Sequence, residues 1–478
     1  MREQTSHFTG SSFQTIPWNE AAYHPHSFAD PCGRVFLWED QLYRGIYPTA
    51  EPFFRALAEN GIISNLVEQR LLVNTELTPF ASNEFPLVFR HELVPFSSYP
   101  QEWCPLMFKD AALSIVDLAI ELAHAGLVLK DGHPWNVIFD ACKPVYIDLG
   151  SITPENGASI WLAYPDFCRY CLYPLILMSQ GYDLIGRLLM CEDRGVRESE
   201  LFRLAPQLAF RAYSRWPVNR VLSYAEKYLT SAKNRLLKKE STAVSSGSRK
   251  QTRNQKKLLS FLKRLRQLVE SIPVSTFDFQ KGVEQRPVAS TQESHDGRAV
   301  NGEVIHRLLT ELHPDSILDI NSGTGLLAKQ AANLGTRVVC FETDIRKVSH
   351  LYKEAKMKGL TILPLVMDFT KPTPARGLGS HWAIAATERF QCDLVLALDV
   401  MNPPTPRRLG FDKIISGFSQ FTKRWLVLEI PLDPGSNSIQ SDGFSIDSCT
   451  RLLERQFRTI TTIHSHAKGS MLLVCEKH

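Results

Sequence analysis

Ser316-Ile317-Leu318-Asp319-Ile320-Asn321-Ser322-Gly323-Thr324-Gly325 is the stretch that decides the fold of the C-terminal part of this chain. A short apolar run ends in an acid and gives way at once to a glycine turn. A helical stretch, Leu326 to Leu334, follows, and then a second strand, Arg337 to Phe341. Strand, glycine turn, helix and strand form the first unit of a doubly wound sheet. Glycine is wanted in the turn because the backbone must reverse sharply and let a ligand come close. Glu342, at the tip of the second strand, stands where an acid accepts hydrogen bonds from both hydroxyls of a ribose.

Working outward, further strands are expected at Thr361 to Met367, Cys392 to Leu398 and Arg424 to Ile430, separated by helices at Arg346 to Lys358 and Arg408 to Phe421. A closing pair, Thr459 to His464 and Met471 to Cys475, is joined by His466-Ala467-Lys468-Gly469. Such alternation predicts an α/β domain with a mainly parallel, Rossmann-like sheet, helices on both faces and an antiparallel closing hairpin. Gly323-Thr324-Gly325-Leu326-Leu327-Ala328 also fits the dinucleotide pattern GxGxxA, so the turn alone does not separate S-adenosylmethionine (SAM) from NAD. Two features favour SAM. Asp319 precedes the glycines where SAM proteins place an acid toward the amino-acid end of the ligand, and no second mononucleotide half follows.

From Leu318 through Lys477 the chain resembles the class I SAM-dependent methyltransferases. More narrowly, it is similar to a bacterial family of two-part methyltransferases related to a nodulation protein. Val366-Met367-Asp368-Phe369 with Pro372-Thr373-Pro374-Ala375, Cys392 to Leu398, and Leu428-Glu429-Ile430-Pro431 carry that likeness. The resemblance implies that Asp319, Asn321, Gly323 and Gly325 line the methionine and ribose part, Glu342 the ribose and Asp368 the adenine edge. Asn321 stands in place of the first glycine of the turn; Asn tolerates positive φ better than most residues. The family usually carries paired histidines after the fourth strand, where this chain has Asn402-Pro403 and Asp399. Asn402-Pro403-Pro404 also invites comparison with the NPP-plus-aromatic motif of amino-directed methyltransferases, but it lies about four residues late and Thr405 replaces the aromatic. A plain loop is the expectation.

Methyl transfer from a sulfonium needs mainly in-line positioning of the acceptor. A base is required only when the acceptor, such as a hydroxyl, must lose a proton. Asp399, ending the fourth strand, is the candidate base; the alternative is a carboxylate that caps the next loop.

The N-terminal part reads differently. Arg34 to Tyr47 is expected as two strands, Pro52 to Asn60 as a helix and Lys109 to His124 as a long helix. Then come Leu129-Lys130-Asp131-Gly132-His133-Pro134-Trp135-Asn136, a strand from Pro144 to Ile147, and Asp148-Leu149-Gly150. Asp131 and Asn136 have the D-x-x-x-x-N spacing and Asp148 begins a D-L-G where D-F-G would stand, so this α+β part resembles the protein-kinase-like fold. In kinases such residues orient the acceptor hydroxyl and hold magnesium on the phosphates. No glycine-rich phosphate loop and no lysine appears between Gly33 and Tyr47, and Arg44 is the candidate cation. ATP–magnesium binding is therefore not the expectation, and the three residues should be structural. The two-part family also carries this segment and the preceding Tyr99-Pro100-Gln101-Glu102-Trp103.

At 478 residues the chain is too long for one core. We expect a kinase-like unit over 1–230, a basic hinge with an amphipathic helix over 231–300, and the methyltransferase unit over 301–478. In the hinge, Lys233, Lys238, Lys239, Arg249, Lys250, Lys263 and Arg264 far outnumber the acids, and leucines from Leu258 to Leu268 fall at helical spacing. A solvated helix joining two domains is the expectation, without specific nucleic-acid recognition, since no aromatic interleaves with the cations before Phe261. Hydrophobic content of 44%, charged content of 22% and net charge +4 fit an ordinary globular protein. The apolar stretch Cys168 to Met190 is broken by charges and is not a membrane span. Cys168 and Cys171 form a CxxC without a second pair, so core packing is expected, with no metal. A cytoplasmic enzyme methylating a small-molecule or glycan-type acceptor is the leading reading. The alternatives are a phosphotransferase with an accessory SAM-binding domain and a non-catalytic SAM-binding protein.

Overall fold

A computed structural model describes residues 16–206, 248–274, 294–431 and 446–477, apart from 18, 25–26, 29, 156–160, 192–193, 381, 402–408 and 465–469. Much of the basic stretch after 231, the Asn402-Pro403-Pro404 segment and the turn 466–469 lie outside these residues.

The N-terminal half opens with strands β1 (Ala22–Tyr23), β2 (Gly33–Trp38), β3 (Gln41–Ile46), β4 (Thr75–Leu77) and β5 (Leu87–His91). They form one antiparallel sheet in the order β1-β2-β3-β5-β4. Helices Glu51–Glu59 and Ile62–Glu68 fill the crossover between β3 and β4. Below this sheet the Pro105–His124 helix is the central post. Its small and branched residues Ala111, Ala112, Ile115, Val116, Leu118 and Ala119 are all buried, which lets other elements approach closely on several sides. Two short hairpin-like pairs, β6 (Leu127–Leu129) with β9 (Ile152–Pro154) and β7 (Val137–Asp140) with β8 (Lys143–Tyr146), carry the loops holding Asp131, Asn136 and Asp148.

The C-terminal half is a seven-stranded sheet in the order β12-β11-β10-β13-β14-β16-β15. Its strands are β10 (Ser316–Ile320), β11 (Arg337–Glu342), β12 (Ile362–Val366), β13 (Cys392–Ala397), β14 (Thr422–Pro431), β15 (Phe457–His464) and β16 (Ser470–Lys477). The first five are parallel, and β16 inserts antiparallel between β14 and β15. This is the class I methyltransferase, Rossmann-like topology with its closing hairpin, as the alternation in the sequence predicts. β10 is buried at every position, as a parallel strand covered on both faces must be.

The Ser248–Ser271 helix does not stand in solvent as expected. Leu258, Leu262 and Leu265 are buried, Arg266 pairs with Asp117 of the Pro105–His124 helix at 2.6 Å, and Lys109 donates to the carbonyls of Glu270 and Ile272. The leucine periodicity announced this face; what covers it is the central post. Arg253, Lys256, Lys257, Lys263 and Arg264 are left exposed.

The two halves share a hydrophobic core. The N-terminal half lies along β12, the strand at the edge of the parallel sheet, and covers an edge that would otherwise offer unpaired backbone groups. Cys142 Sγ approaches the Ile362 carbonyl at 3.2 Å, and Arg187 Nη1 comes within 3.5 Å of the Val366 carbonyl. Tyr352 Oη and Lys356 Nζ both reach Asp110 Oδ2 at 2.5 Å. Among the described residues no helix is long and apolar enough to cross a membrane, and no cluster of three or more His, Cys, Asp or Glu is arranged to hold a metal. Cys168 and Cys171 are buried in a π-helical turn, Cys168–Leu172, and burial pushes the Cys168 thiol up to about 12.

Candidate functional site

The glycine turn caps the sheet at the C-terminal end of β10. Asn321, Gly323 and Gly325 have φ of 55°, 61° and 73°, so the turn takes three left-handed steps within five residues. Asn321 thus occupies the conformation that a glycine would supply, as the sequence reading allows. At Gly325 the requirement is local packing. A Cβ there would lie 2.4 Å from Leu351 Cδ1, so glycine is needed to seat the Leu326–Asn333 helix against the Ile345–Lys358 helix.

Glu342 is locked beside this turn. Its Oε2 accepts from the Gly323 amide at 3.0 Å, and its Oε1 accepts from the amides of Thr343 and Asp344 at 2.8 and 2.9 Å. Three backbone donors hold the carboxylate in one orientation at the end of β11, beside the glycine turn. Asp319 lies inside the sheet, 1% exposed, between Cys340 and Leu396 on the flanking strands. Asp368 is half-buried after β12; Thr370 fixes it by donating its amide and hydroxyl to Oδ1 at 2.8 and 2.7 Å. The glycine turn, Glu342 and Asp368 therefore succeed one another across the ends of β10, β11 and β12.

Asp399 follows β13 with φ 59°, and its amide donates to Glu429 Oε2 at 3.3 Å. Glu429 is buried on β14 and also accepts from Asn301 Nδ2 at 3.1 Å. The Leu428-Glu429-Ile430-Pro431 segment thus carries a carboxylate that shapes the backbone at the candidate base, a role the sequence reading did not assign.

Beyond Asp368 the ends of the strands open into a crevice of about 220 Å³ between the two halves. Met367, Asp368 and Arg376 line it from one side, and Gln101, Arg187 and Cys191 from the other. Arg187 Nη1 reaches the Gln101 carbonyl at 3.3 Å as well as Val366. Burial lowers its pKa from the ordinary guanidinium value, with Asp183 opposing. Spacing arguments missed Gln101 and Arg187, because they lie far from the glycine turn in sequence; the Tyr99–Trp103 segment was the only pointer.

In the N-terminal half Asp131, Asn136 and Asp148 lie near one another. Asn136 Nδ2 donates to Tyr146 Oη at 3.1 Å, and Tyr146 Oη donates to the Asp131 carbonyl at 3.3 Å. Asp148 is tied to the Gly150 amide at 3.0 Å and to Arg44 Nη2 at 3.0 Å. Arg44, buried on β3, also pairs with Asp30. Gly150 has no side chain because a Cβ would stand 2.5 Å from Arg44 Nη1. Lys130 Nζ approaches Cys32 Sγ at 3.9 Å. Burial raises the Asp148 carboxyl above its usual range; Arg44 opposes, and the neighbouring Asp30 and Asp131 reinforce the rise.

No family model matches the chain. Over 380 residues it is 27% identical to Nodulation protein NoeA of Rhizobium meliloti (strain 1021), covering 78% of this chain and 77% of that protein. Among solved structures, magnesium protoporphyrin IX methyltransferase (ChlM) from Synechocystis PCC 6803 with bound SAH is 14% identical, with a TM-score of 0.30, over 41% of this chain and 90% of its own. The bifunctional kinase-methyltransferase WbdD is 14% identical, with a TM-score of 0.29, over 38% of this chain and 39% of its own. The chain is thus similar to a nodulation protein over most of its length.

Proposed function

We propose that this protein is a SAM-dependent methyltransferase acting on a small-molecule or glycan-type acceptor. The observation that carries the reading is the alignment of the left-handed glycine turn with Glu342, fixed by three backbone amides, at the C-terminal ends of adjacent parallel strands. Ligands of open α/β sheets bind at that crevice. The residues fit the cofactor. Gly323 and Gly325 bring backbone close to it, Glu342 presents carboxylate oxygens to ribose hydroxyls, and Asp368 offers an acceptor to the base. SAM supplies an electrophilic methyl group when bound. The chain's own part is to hold the acceptor in line and exclude water. For a hydroxyl acceptor, Asp399 at the end of β13 takes the proton, its backbone held by Glu429.

For the N-terminal half, the reading is a kinase-like shape without phosphate transfer. Arg44 supports it, because its guanidinium is bonded to Asp148, an acid that a magnesium would need, and is held there by Asp30. All ten cysteines are free thiols, which suits a reducing, cytoplasmic setting. The test is calorimetry of the full chain with S-adenosylhomocysteine (SAH) and, side by side, with ATP–magnesium. It is followed by transfer of labelled methyl from SAM to saccharide, small-molecule and nucleic-acid fractions. SAH binding with label in the first two fractions is expected. Absence of SAH binding overturns the reading, and label confined to nucleic acid overturns the acceptor class.

A further inference from the structure

The Tyr99-Pro100-Gln101-Glu102-Trp103 segment is clamped between the two halves. Glu102 pairs with Arg389 at full burial. Tyr99 Oη accepts from the Ile384 amide at 2.9 Å, and the Arg389 guanidinium lies 3.9 Å over the Tyr99 ring. Trp103, wholly buried, donates to Ser98 Oγ at 2.9 Å. Every neighbour of Gln101 is thus anchored, and Arg187 holds the Gln101 carbonyl. Only the Gln101 amide is left over. Both its oxygen and its nitrogen are buried without a hydrogen-bond partner, and the residue is one of those lining the crevice that opens beside Asp368.

A buried amide with neither atom satisfied is unfavourable, because both groups have lost water and gained no partner. Such a group in a cleft, on a segment fixed at both ends, is a recognition element awaiting a ligand. The order of the strands says which ligand edge arrives there. The glycine turn lies on β10, Glu342 on β11 and Asp368 after β12, and Glu342 and Val366 are paired in register. A cofactor laid along that line runs from its amino-acid end through its ribose to its base. The next groups outward, past the edge strand, are Gln101 and Arg187. A crevice of about 220 Å³ equals roughly seven waters at ~30 Å³ each, enough for a flat heterocycle. A carboxamide presents a donor beside an acceptor, which complements adenine's adjacent amino group and ring nitrogen. Asp368 Oδ1 is committed to Thr370, so the second amino hydrogen goes to its other oxygen.

We propose that Gln101 of the N-terminal half reads the adenine of SAM bound on the C-terminal sheet, so that the cofactor site is completed by both halves. This rests on the methyltransferase reading above, and the experiment separates the two. The full chain and its Gln101→Met variant are titrated with SAH and with S-inosylhomocysteine, whose base carries an oxo group where adenine carries the amine. The parent chain binds SAH more tightly than the inosyl analogue. Gln101→Met weakens SAH at least tenfold, changes the analogue little, and leaves the melting temperature of the ligand-free chain unchanged or higher, because an unsatisfied amide has been removed. SAH affinity within twofold of the parent overturns the Gln101 assignment and leaves the methyltransferase reading standing. Equal weakening of both ligands with a fall in melting temperature shows a structural role and also overturns it. A parent chain that binds no SAH overturns both.

Discussion

Glu102 and Arg389, 287 residues apart in the chain, form an ion pair with side-chain exposures of only 1% and 3%. Both guanidinium Nη atoms are used, Nη1 reaching Glu102 Oε2 at 3.1 Å while Glu102 Oε2 also accepts from the Tyr99 amide at 2.8 Å. A pair removed from water this completely is marginal as a source of net stability but severe to break, because the survivor is stranded. Glu102→Gln is therefore expected to lower the unfolding free energy by about 3–5 kcal/mol. The double variant Glu102→Gln, Arg389→Met is expected to lose less than the sum of the singles. Urea denaturation of the four chains measures this. A single-variant loss under about 1 kcal/mol, the level of a surface pair, would show that the halves are not bolted here.

At the glycine turn the expectation separates backbone strain from packing. Gly325→Ala forces a side chain into φ 73°, costing about 1–2 kcal/mol, and drives its Cβ into Leu351, adding about 1–3 kcal/mol. SAH binding falls with it. Adding Leu351→Ala relieves the clash but not the strain, so part of the binding returns. Asn321→Gly, by contrast, keeps the turn and retains SAH affinity, whereas Asn321→Val, β-branched at φ 55°, loses it. Calorimetry on the four chains decides; equal affinity for Asn321→Val and Asn321→Gly would mean the turn does not shape the site.

The C-terminal architecture was legible because its signals are local. Ser316 to Gly325 encodes strand, turn and helix start within ten residues, and the hairpin at the end follows from two alternating runs. What spacing does not encode is which surfaces meet. The leucine face of the Ser248–Ser271 helix was visible, but not that the Pro105–His124 helix covers it. Arg44 was visible as a cation, but not that Asp30 would share it with Asp148. Gln101 and Arg187 enter the crevice only because the N-terminal half lies along β12, a tertiary fact with no trace in either segment alone.

His91 gives a pH prediction. It is buried on β5 with Thr75 Oγ1 2.9 Å from Nδ1. Burial, assisted by the nearby Arg44 charge, lowers its pKa from 6.5 to about 3. The folded state therefore keeps the ring neutral while the unfolded chain takes up a proton below pH 6.5. Its contribution is fully present above that pH and is lost as pH falls toward 3. Between pH 6.5 and 5 the loss is about 2 kcal/mol. His91→Gln is expected to flatten this part of the stability profile by that amount. Denaturant midpoints of parent and variant at pH 7 and pH 5 test it, and parallel profiles would overturn it.

The last prediction concerns the three acids around Arg44. One buried guanidinium faces Asp30 and Asp148, with Asp131 close enough to act on Asp148 electrostatically. Removing the cation in Arg44→Met leaves carboxylates facing each other with no compensating charge, which costs about 3–5 kcal/mol. The sign of the pH effect follows from the Asp148 carboxyl, whose folded pKa is already raised by burial. A group that holds its proton more tightly when folded favours folding at low pH, and that advantage disappears as pH rises through its folded pKa. Without Arg44 the pKa rises further, so the variant is hurt more at pH 8 than at pH 5. Asp148→Asn, which removes one acid and keeps the Asp30 pair, is expected to be milder at both. In the parent chain ATP–magnesium should leave the melting temperature unchanged, because Asp148 Oδ1 is already bonded to Arg44 and the Gly150 amide. A rise in melting temperature with ATP–magnesium that disappears in Asp148→Asn would show that the guanidinium yields to the metal, and the N-terminal cleft would then be a nucleotide site.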